Sequence, residues 1–338
     1  MDDKIPKSQL RKIYVDILNG FSQTVDGKFG ELYLKHLDVF ESQEMDEKNE
    51  FHLERAKKNG LPSEKERVEE IIKNGDWSAA KDKEIEENRL FIKNLETTRS
   101  KIFLQSEIKK ISEEIKKTRD KINKLASEKN DLIGITAESY ASKKVNDYYI
   151  FSTLYKDRSL KSKKFNPDEF DYLDELDILS LSRIHGESIQ KMSENSLKRV
   201  ALSGFFLNNY VLCKDNPFIF FGKPIVSLTF YQTDLFGYGR YFKHILSEMK
   251  NPPSQEEMED PDKLMDKFNI AKNSEGILSK TSGKEGAATT IVGATKEDLK
   301  ALGLASGEKT GEVIDLNKEA AKKGGSLSMQ DLMKLHGV

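Results

Sequence analysis

The stretch LQSEIKKISEEIKKTRDKINKLASEKNDL, residues 104–132, sets Leu104, Ile108, Ile111, Ile115, Thr118, Ile122, Leu125, Lys129 and Leu132 at alternating steps of four and three. Seven of these nine positions are apolar, and Lys, Glu, Arg and Asp fill the places between them. Steps of this kind keep side chains on one side of an α-helix, whereas a strand needs period two. The segment therefore predicts a helix with an a/d seam and a solvated outer face. At about 1.5 Å per residue, a helix from Ser106 to Ile133 extends about 42 Å.

Upstream, no glycine or proline occurs between Trp77 and Gly134, which leaves room for a preceding arm. Ile85, Ile92, Leu95 and Ile102 give that arm a weaker apolar pattern, and the polar Thr97-Thr98-Arg99-Ser100-Lys101 reads as the tip. A projecting antiparallel coiled-coil hairpin is the simplest geometry. A continuous helix that self-associates through 104–132 is the competitor, and the pattern leaves both open. In either case Ile108, Ile111, Ile115, Ile122 and Leu125 are candidate partner-binding positions.

Helix signals continue on both sides. Pro62-Ser63-Glu64-Lys65-Glu66 holds a capping box, in which Ser63 and Glu66 each satisfy the other's unpaired backbone N–H. A helical pattern covers about Glu41 to Lys58, stopped by Asn59-Gly60. Thr136 caps another helix, and Asn166-Pro167-Asp168-Glu169 opens one with proline in its first turn. The most apolar stretch, Leu197 to Leu246, reads as a helix over about 194–212, a broken turn DNPFIFFGKP, and a second helix after Ser227. Its rings Phe205, Phe206, Tyr210, Phe218, Phe220, Phe221, Phe230, Tyr231, Phe236 and Tyr238 are expected to supply the bulk of a core. Asp260-Pro261 starts a short helix ending near Ala271. Near the N-terminus, Leu10 to Phe21 could be helix or strand. Asp26-Gly27 followed by alternating Leu32 and Leu34 predicts a small β-hairpin.

The chain has 338 residues and a formal net charge of −2. All 30 aromatic residues lie at or before Phe268, while the last 70 residues hold 10 of the 21 glycines. A segment without large rings buries too little apolar surface to offset its ordering entropy. Residues 274–338 are thus expected to form a disordered tail. The expected organisation is mainly α: a mixed α/β segment (1–60), the hairpin (61–134), an aromatic-rich helical body (135–273) and the tail. Within that tail, Met329, Leu332, Met333 and Leu335 follow Gly324-Gly325 as a short amphipathic island. Helices this short are unstable alone, so the island is a candidate for docking on a partner.

Chemistry is sparse. The single cysteine, Cys213, excludes an internal disulfide and a Cys-based zinc site. His36, His52, His185, His244 and His336 are scattered, with no pair at the helical spacing that metal ligation favours. Gly276 to Lys284 ends in a Gly-Lys pair, but no strand precedes it. Gly237-Tyr238-Gly239 lacks the third glycine of a dinucleotide fingerprint and reads as helix packing. No catalytic pair, cofactor or metal site is expected, and the protein is read as a non-enzyme. The balanced charge gives no global reason to bind nucleic acid or an acidic membrane. One local exception is the basic linker 156–164, with Lys156, Arg158, Lys161, Lys163 and Lys164. It supports an alternative reading as a coiled-coil, nucleic-acid-associated accessory factor. The N-terminus MDDKIPKSQLRK lacks the apolar core of a secretory signal, and no apolar run is long enough to span a bilayer. A soluble, intracellular protein is expected.

Three stretches, YLKHLDVFESQEMDE (33–47), KKNGLPSEKERVEEIIKNGDWS (57–78) and FFGKPIVSLTFYQTDLFGYGRYF (220–242), resemble segments of tail-assembly and baseplate-associated proteins of large contractile-tailed bacteriophages. The terminal SLSMQDLMKLHGV resembles their short C-terminal peptides. The resemblance implies a non-enzymatic assembly chaperone, scaffold or virion component. Its implied partners are other phage tail or baseplate proteins, and its implied location is the host cytoplasm during assembly or the virion tail. It carries over no functional residue.

Overall fold

A computed structural model describes residues 5–102 and 104–281, and within them the protein is mainly helical. The chain divides into two compact units, Met1–Asn74 with Ile133–Leu264, and Gly75–Leu132 with the chain from Met265.

The first unit opens with α1 (Lys7–Asn19), which settles the ambiguous apolar run near the N-terminus as helix. Gly20, at φ +77°, closes it in the left-handed conformation that glycine tolerates. The chain then enters strands β1 (Phe21–Asp26) and β2 (Gly30–Lys35), paired antiparallel from Phe21↔Lys35 to Asp26↔Gly30. Their turn is held by the Asp26 carboxylate, which accepts from the backbone of Lys28 and Phe29 at 2.8 and 2.9 Å. Helix α2 (Val39–Lys58) starts two residues earlier than its apolar pattern suggests, because Asp38 and Glu41 form a capping box. The box expected at Ser63 and Glu66 is present at the head of α3 (Glu64–Lys73).

The second unit begins with α4 (Ala79–Arg99) and α5 (Gln105–Ile133), so the turn between them lies slightly beyond the predicted polar tip.

The chain returns to the first unit in α6 (Ala137–Thr153), capped by Thr136 as expected. It is followed by β3 (Leu154–Tyr155), which adds a third antiparallel strand beside β2. Two residues are too few to show a period in sequence. Leu32, Leu34 and Leu154 face one core with Ile150, Leu181 and Ile184. The alternate residues Tyr33 and Tyr155 pack with Phe21 on the other face. Asn166-Pro167 opens only the short α7 (Pro167–Asp171), after which Asp174 caps α8 (Glu175–Lys191).

The single helix expected over 194–212 is two, α9 (Glu194–Leu202) and α10 (Gly204–Leu212), broken where Ser203 adopts an extended conformation. The Pro/Gly segment that follows holds a short helix, α11 (Pro217–Phe221), and one 3₁₀ turn (Ile225–Ser227). Helix α12 (Phe230–Glu248) packs on α1, α9 and α10. Gly239 is the packing glycine its context suggested, since a Cβ there would meet the Tyr210 ring at 2.8 Å and Phe206 at 2.9 Å. After α13 (Gln255–Glu259), α14 (Pro261–Thr281) runs ten residues past its predicted end and into the segment read as tail. The remainder of that tail, 282–338, lies outside the described residues.

One side chain ties the first unit together. Gln232, fully buried, donates to the carbonyls of Ile17 and Leu18 at 2.8 and 3.3 Å and accepts from the Thr229 backbone at 3.1 Å. It thereby satisfies the last turn of α1 and the first turn of α12 together. Replacing Gln232 with Leu should cost about 1–3 kcal/mol, because the Leu18 carbonyl and the Thr229 N–H would lose their side-chain partner, while the Ile17 carbonyl would keep only the Gly20 amide. Urea unfolding of the first unit's fluorescence checks it, with a lowered midpoint expected.

Two histidines are also buried. The imidazole of His36 lies 2.9 Å from the Ser22 hydroxyl and edge-on to Tyr231, and burial holds its pKa down at about 3. His185 lies 3.1 Å from the Thr153 hydroxyl and against Tyr149, and burial lowers it to about 4. The unfolded chain takes up protons below its ordinary 6.5 while the native state does not. Stability should therefore fall as pH drops below 6.5, by up to about 1.4 kcal/mol per histidine per unit. Asp16, pushed up to about 6 by burial, acts in the opposite sense. Urea midpoints between pH 7.5 and 5 should fall, and His36→Gln should flatten the slope.

Candidate interaction surface

The candidate seam positions on α5 are covered within the chain, whereas Leu132 at the end of the seam is exposed. Ile108, Ile115, Thr118 and Ile122 are buried, and Ile111 and Leu125 are half-buried. The Thr118 hydroxyl is satisfied by the Glu114 carbonyl at 2.9 Å. Lys81–Glu128, Asp82–Lys129, Glu84–Lys121 and Glu96–Arg119 pair α4 with α5 at 3.1, 2.8, 2.6 and 3.6 Å. Partners that descend along one helix as they ascend along the other require an antiparallel arrangement. The α4–α5 turn meets α14, where Arg99 grips Asp266 with two bonds of 2.8 and 2.9 Å and Asn273 donates to the Ser100 carbonyl. The other candidates, Met329, Leu332, Met333 and Leu335, lie outside the described residues.

The basic linker 156–164 is a closed loop. Tyr155 bridges to Lys163, and backbone bonds join Lys156 to Ser162 and Lys164 to Leu154. The Asp157 carboxylate gathers the Ser159 hydroxyl and the backbone of Ser159, Lys161 and Ser162, which lowers its pKa to about 2. Two of the five cations are committed to this structure. Lys163 donates to the Ser152 carbonyl and sits over the Tyr155 ring, while Lys164 donates to the Phe29 carbonyl. A shallow basin of about 590 Å³ beside the loop is lined by Lys156 and Lys164 but also by Asp168 and Glu169, which would repel phosphate.

Among the described residues, no group of three or more His, Cys, Asp or Glu side chains is placed to hold a metal ion. Ser22 and His36 are within hydrogen-bond distance, but both are buried. Cys213 is buried and its thiol bonds the Tyr210 carbonyl at 3.0 Å. No helix among the described residues is long and apolar enough to cross a membrane.

The unusual surface lies on the segment 211–230 of the first unit. Its half-buried ring Phe220 packs against the core rings Phe206, Tyr210 and Phe236, at centroid separations of 5.5, 6.1 and 6.0 Å. Its outer side chains have no such cover. Leu212 is 77% exposed, Ile225 63%, Ile219 62% and Phe218 59%, with Val211 and Val226 also more than half exposed. Phe230 follows at the head of α12, and the Thr229–Asp38 bridge places it near the exposed Val39 and Phe40 of α2. Scattered apolar residues on a surface are ordinary, but this many within one short segment is the pattern of a contact face.

The chain geometry that presents them is specific. Lys214 and Asp215 both take left-handed conformations, at φ 51° and 59°, which turn the chain sharply after α10. Asp215 is held by Lys243 at 2.7 Å, and that ammonium, with the Tyr210 hydroxyl, lowers its pKa. Tyr210 is in turn raised, first by its burial and then by the Asp215 charge. Asn216 then caps α11 through the backbone of Phe218, at 2.9 Å. Sequence reading placed Phe218, Phe230 and their neighbours in the core. Composition cannot distinguish the inner from the outer rings of a five-residue helix.

No protein-family model, curated protein or solved structure matches this chain.

The hairpin account has a local test. Ile122→Ala should remove about 2–4 kcal/mol from the second unit by opening a cavity in its seam. Hydrogen exchange should speed up within 79–133 while the amides of α1, α9 and α12 keep their protection.

Proposed function

We propose that this chain is a non-enzymatic assembly or structural protein that acts through protein–protein contacts, principally on the surface formed by residues 211–230. The observation that carries the proposal is the run of exposed apolar side chains on a segment whose other rings, the half-buried Phe220 and Phe221, pack against Phe236. Leaving such side chains in water is unfavourable by roughly 25 cal/mol per Å², so a partner that covers them gains affinity. The proposed setting is building of a contractile phage tail or baseplate, as chaperone or scaffold, and it rests on the sequence resemblance alone. In this reading the α4–α5 hairpin sets spacing. The terminal peptide with Met329, Leu332, Met333 and Leu335 supplies a second, tethered contact whose strength depends on its effective concentration. That second contact is supported by its apolar spacing in the sequence.

The test is a comparative pull-down from lysate of the cells that make the protein, with the full chain, an Ile219→Asp variant and a 1–281 truncation. Ile219 is exposed, so the substitution should alter stability by no more than about 0.5 kcal/mol. Tail or baseplate proteins captured by the full chain and lost with Ile219→Asp would support the proposal. Loss with the truncation alone would move the contact to the terminal peptide. Identical captures by all three would end the reading.

A further inference from the structure

The charge around the apolar segment says what kind of partner it suits. Between Val200 and Thr233 the charged residues are Lys214, Asp215 and Lys223. The one carboxylate among them is neutralised by Lys243. Lys214 and Lys223 make no ion pair among the described residues. Arg240 adds a further cation from α12, with its guanidinium 6.0 Å from the centre of the Phe236 ring, which packs against Phe220 and Phe221. Asp234 on α12 has its pKa raised by burial and then by the Glu194 charge of α9, and Arg240 joins Lys243 in lowering that of Asp215. The apolar side chains of α10 and α11 are thus flanked by positive charge left unbalanced.

We infer that this surface receives an amphipathic helix of a partner protein whose apolar stripe is bordered by Asp or Glu. This rests on the assembly reading and specifies its partner. Val211 and Leu212 at the end of α10, and Phe218 and Ile219 on α11, are each more than half exposed within one short stretch of chain. A helix laid across such a face contributes apolar residues at i, i+3, i+4 and i+7. Carboxylates on its flanks would then reach Lys214, Lys223 and Arg240. Charges at the rim of an interface set the choice of partner and the encounter rate more than the affinity itself. A basic-flanked helix would be rejected, since its charges would face these cations without a counter-ion.

The experiment uses the full chain and fluorescent synthetic peptides of about 18 residues, or five helical turns. One carries a Leu stripe flanked by Glu, the second the same stripe flanked by Lys, and the third Glu flanks with the stripe replaced by Ser. Anisotropy at low salt should show the Glu-flanked peptide binding at least about tenfold more tightly than either control, with the margin shrinking as salt rises. Lys214→Glu with Lys223→Glu should abolish or reverse the preference. Ile219→Asp should abolish binding while leaving the circular dichroism melt unchanged.

Equal binding of Glu- and Lys-flanked peptides, or binding indifferent to these substitutions, would overturn the inference. So would co-sedimentation with phosphatidylserine vesicles that the same substitutions abolish, because the face would then belong to a lipid surface. Sedimentation velocity showing a dimer dispersed by Ile219→Asp would overturn it in favour of a second copy, and peptide binding that appears only on removing 282–338 would overturn it in favour of the chain's own terminus. If the peptides fail but Ile219→Asp still abolishes capture of a tail protein, the acidic partner falls while the assembly reading stands.

Discussion

The first unit hangs on the Gln232 side chain. An α-helix leaves its last carbonyls and its first amides unpaired, and a buried helix end cannot turn to water for them. Here the end of α1 and the start of α12 meet, and one amide serves both, donating to Ile17 and Leu18 while accepting from Thr229. The same corner carries the Asp38–Thr229 bridge, through which the Phe230 amide reaches the Leu37 carbonyl. The exit from the β1–β2 hairpin, the start of α2 and the start of α12 are fixed at one point. Moving α12 would also move Phe236 and Gly239, against which Tyr210 and Phe206 pack.

That fixed α12 explains how so apolar a segment can stay folded with most of its large side chains in water. Phe220 and Phe221 are pinned against Phe236, and the Lys243–Asp215 pair with the Asn216 cap fixes the entry to α11. With the inner rings anchored, the short α11 must turn Phe218 and Ile219 outward, because a five-residue helix has no stretch of backbone left to hide them. Exposure at 211–230 follows from the packing of its other face. A protein that stabilises one side of a segment in this way presents the other side in a defined shape, which is what specific recognition requires.

Much of the architecture was legible because local rules carried it. The capping boxes at Ser63 and Thr136, the Asp26-Gly27 turn and the heptads of α5 each depend on residues within a few positions of one another. What escaped depended on distant partners. β3 has two residues and exists only because β2 offers it an edge. The basic run at 156–164 looks like a linker by composition, yet Asp157 and the β3 edge close it into a loop and commit two of its lysines. Phe218 and Phe230, expected in the core but exposed, are the most consequential difference: apolar content measures how much surface could be buried, not which side of a helix finds cover.

The central claim is that the outward face of residues 211–230 is a site of specific protein contact. It can be probed at a single position. Cys213 is the one cysteine of the chain and is buried, so an Ile219→Cys variant can be labelled selectively at the surface with a photo-crosslinker. The control is Lys109→Cys, on the solvated face of α5. Irradiated in lysate of the cells that make the protein, the label at 219 should give one dominant adduct that the label at 109 does not. Matching, diffuse labelling from both positions would contradict the account.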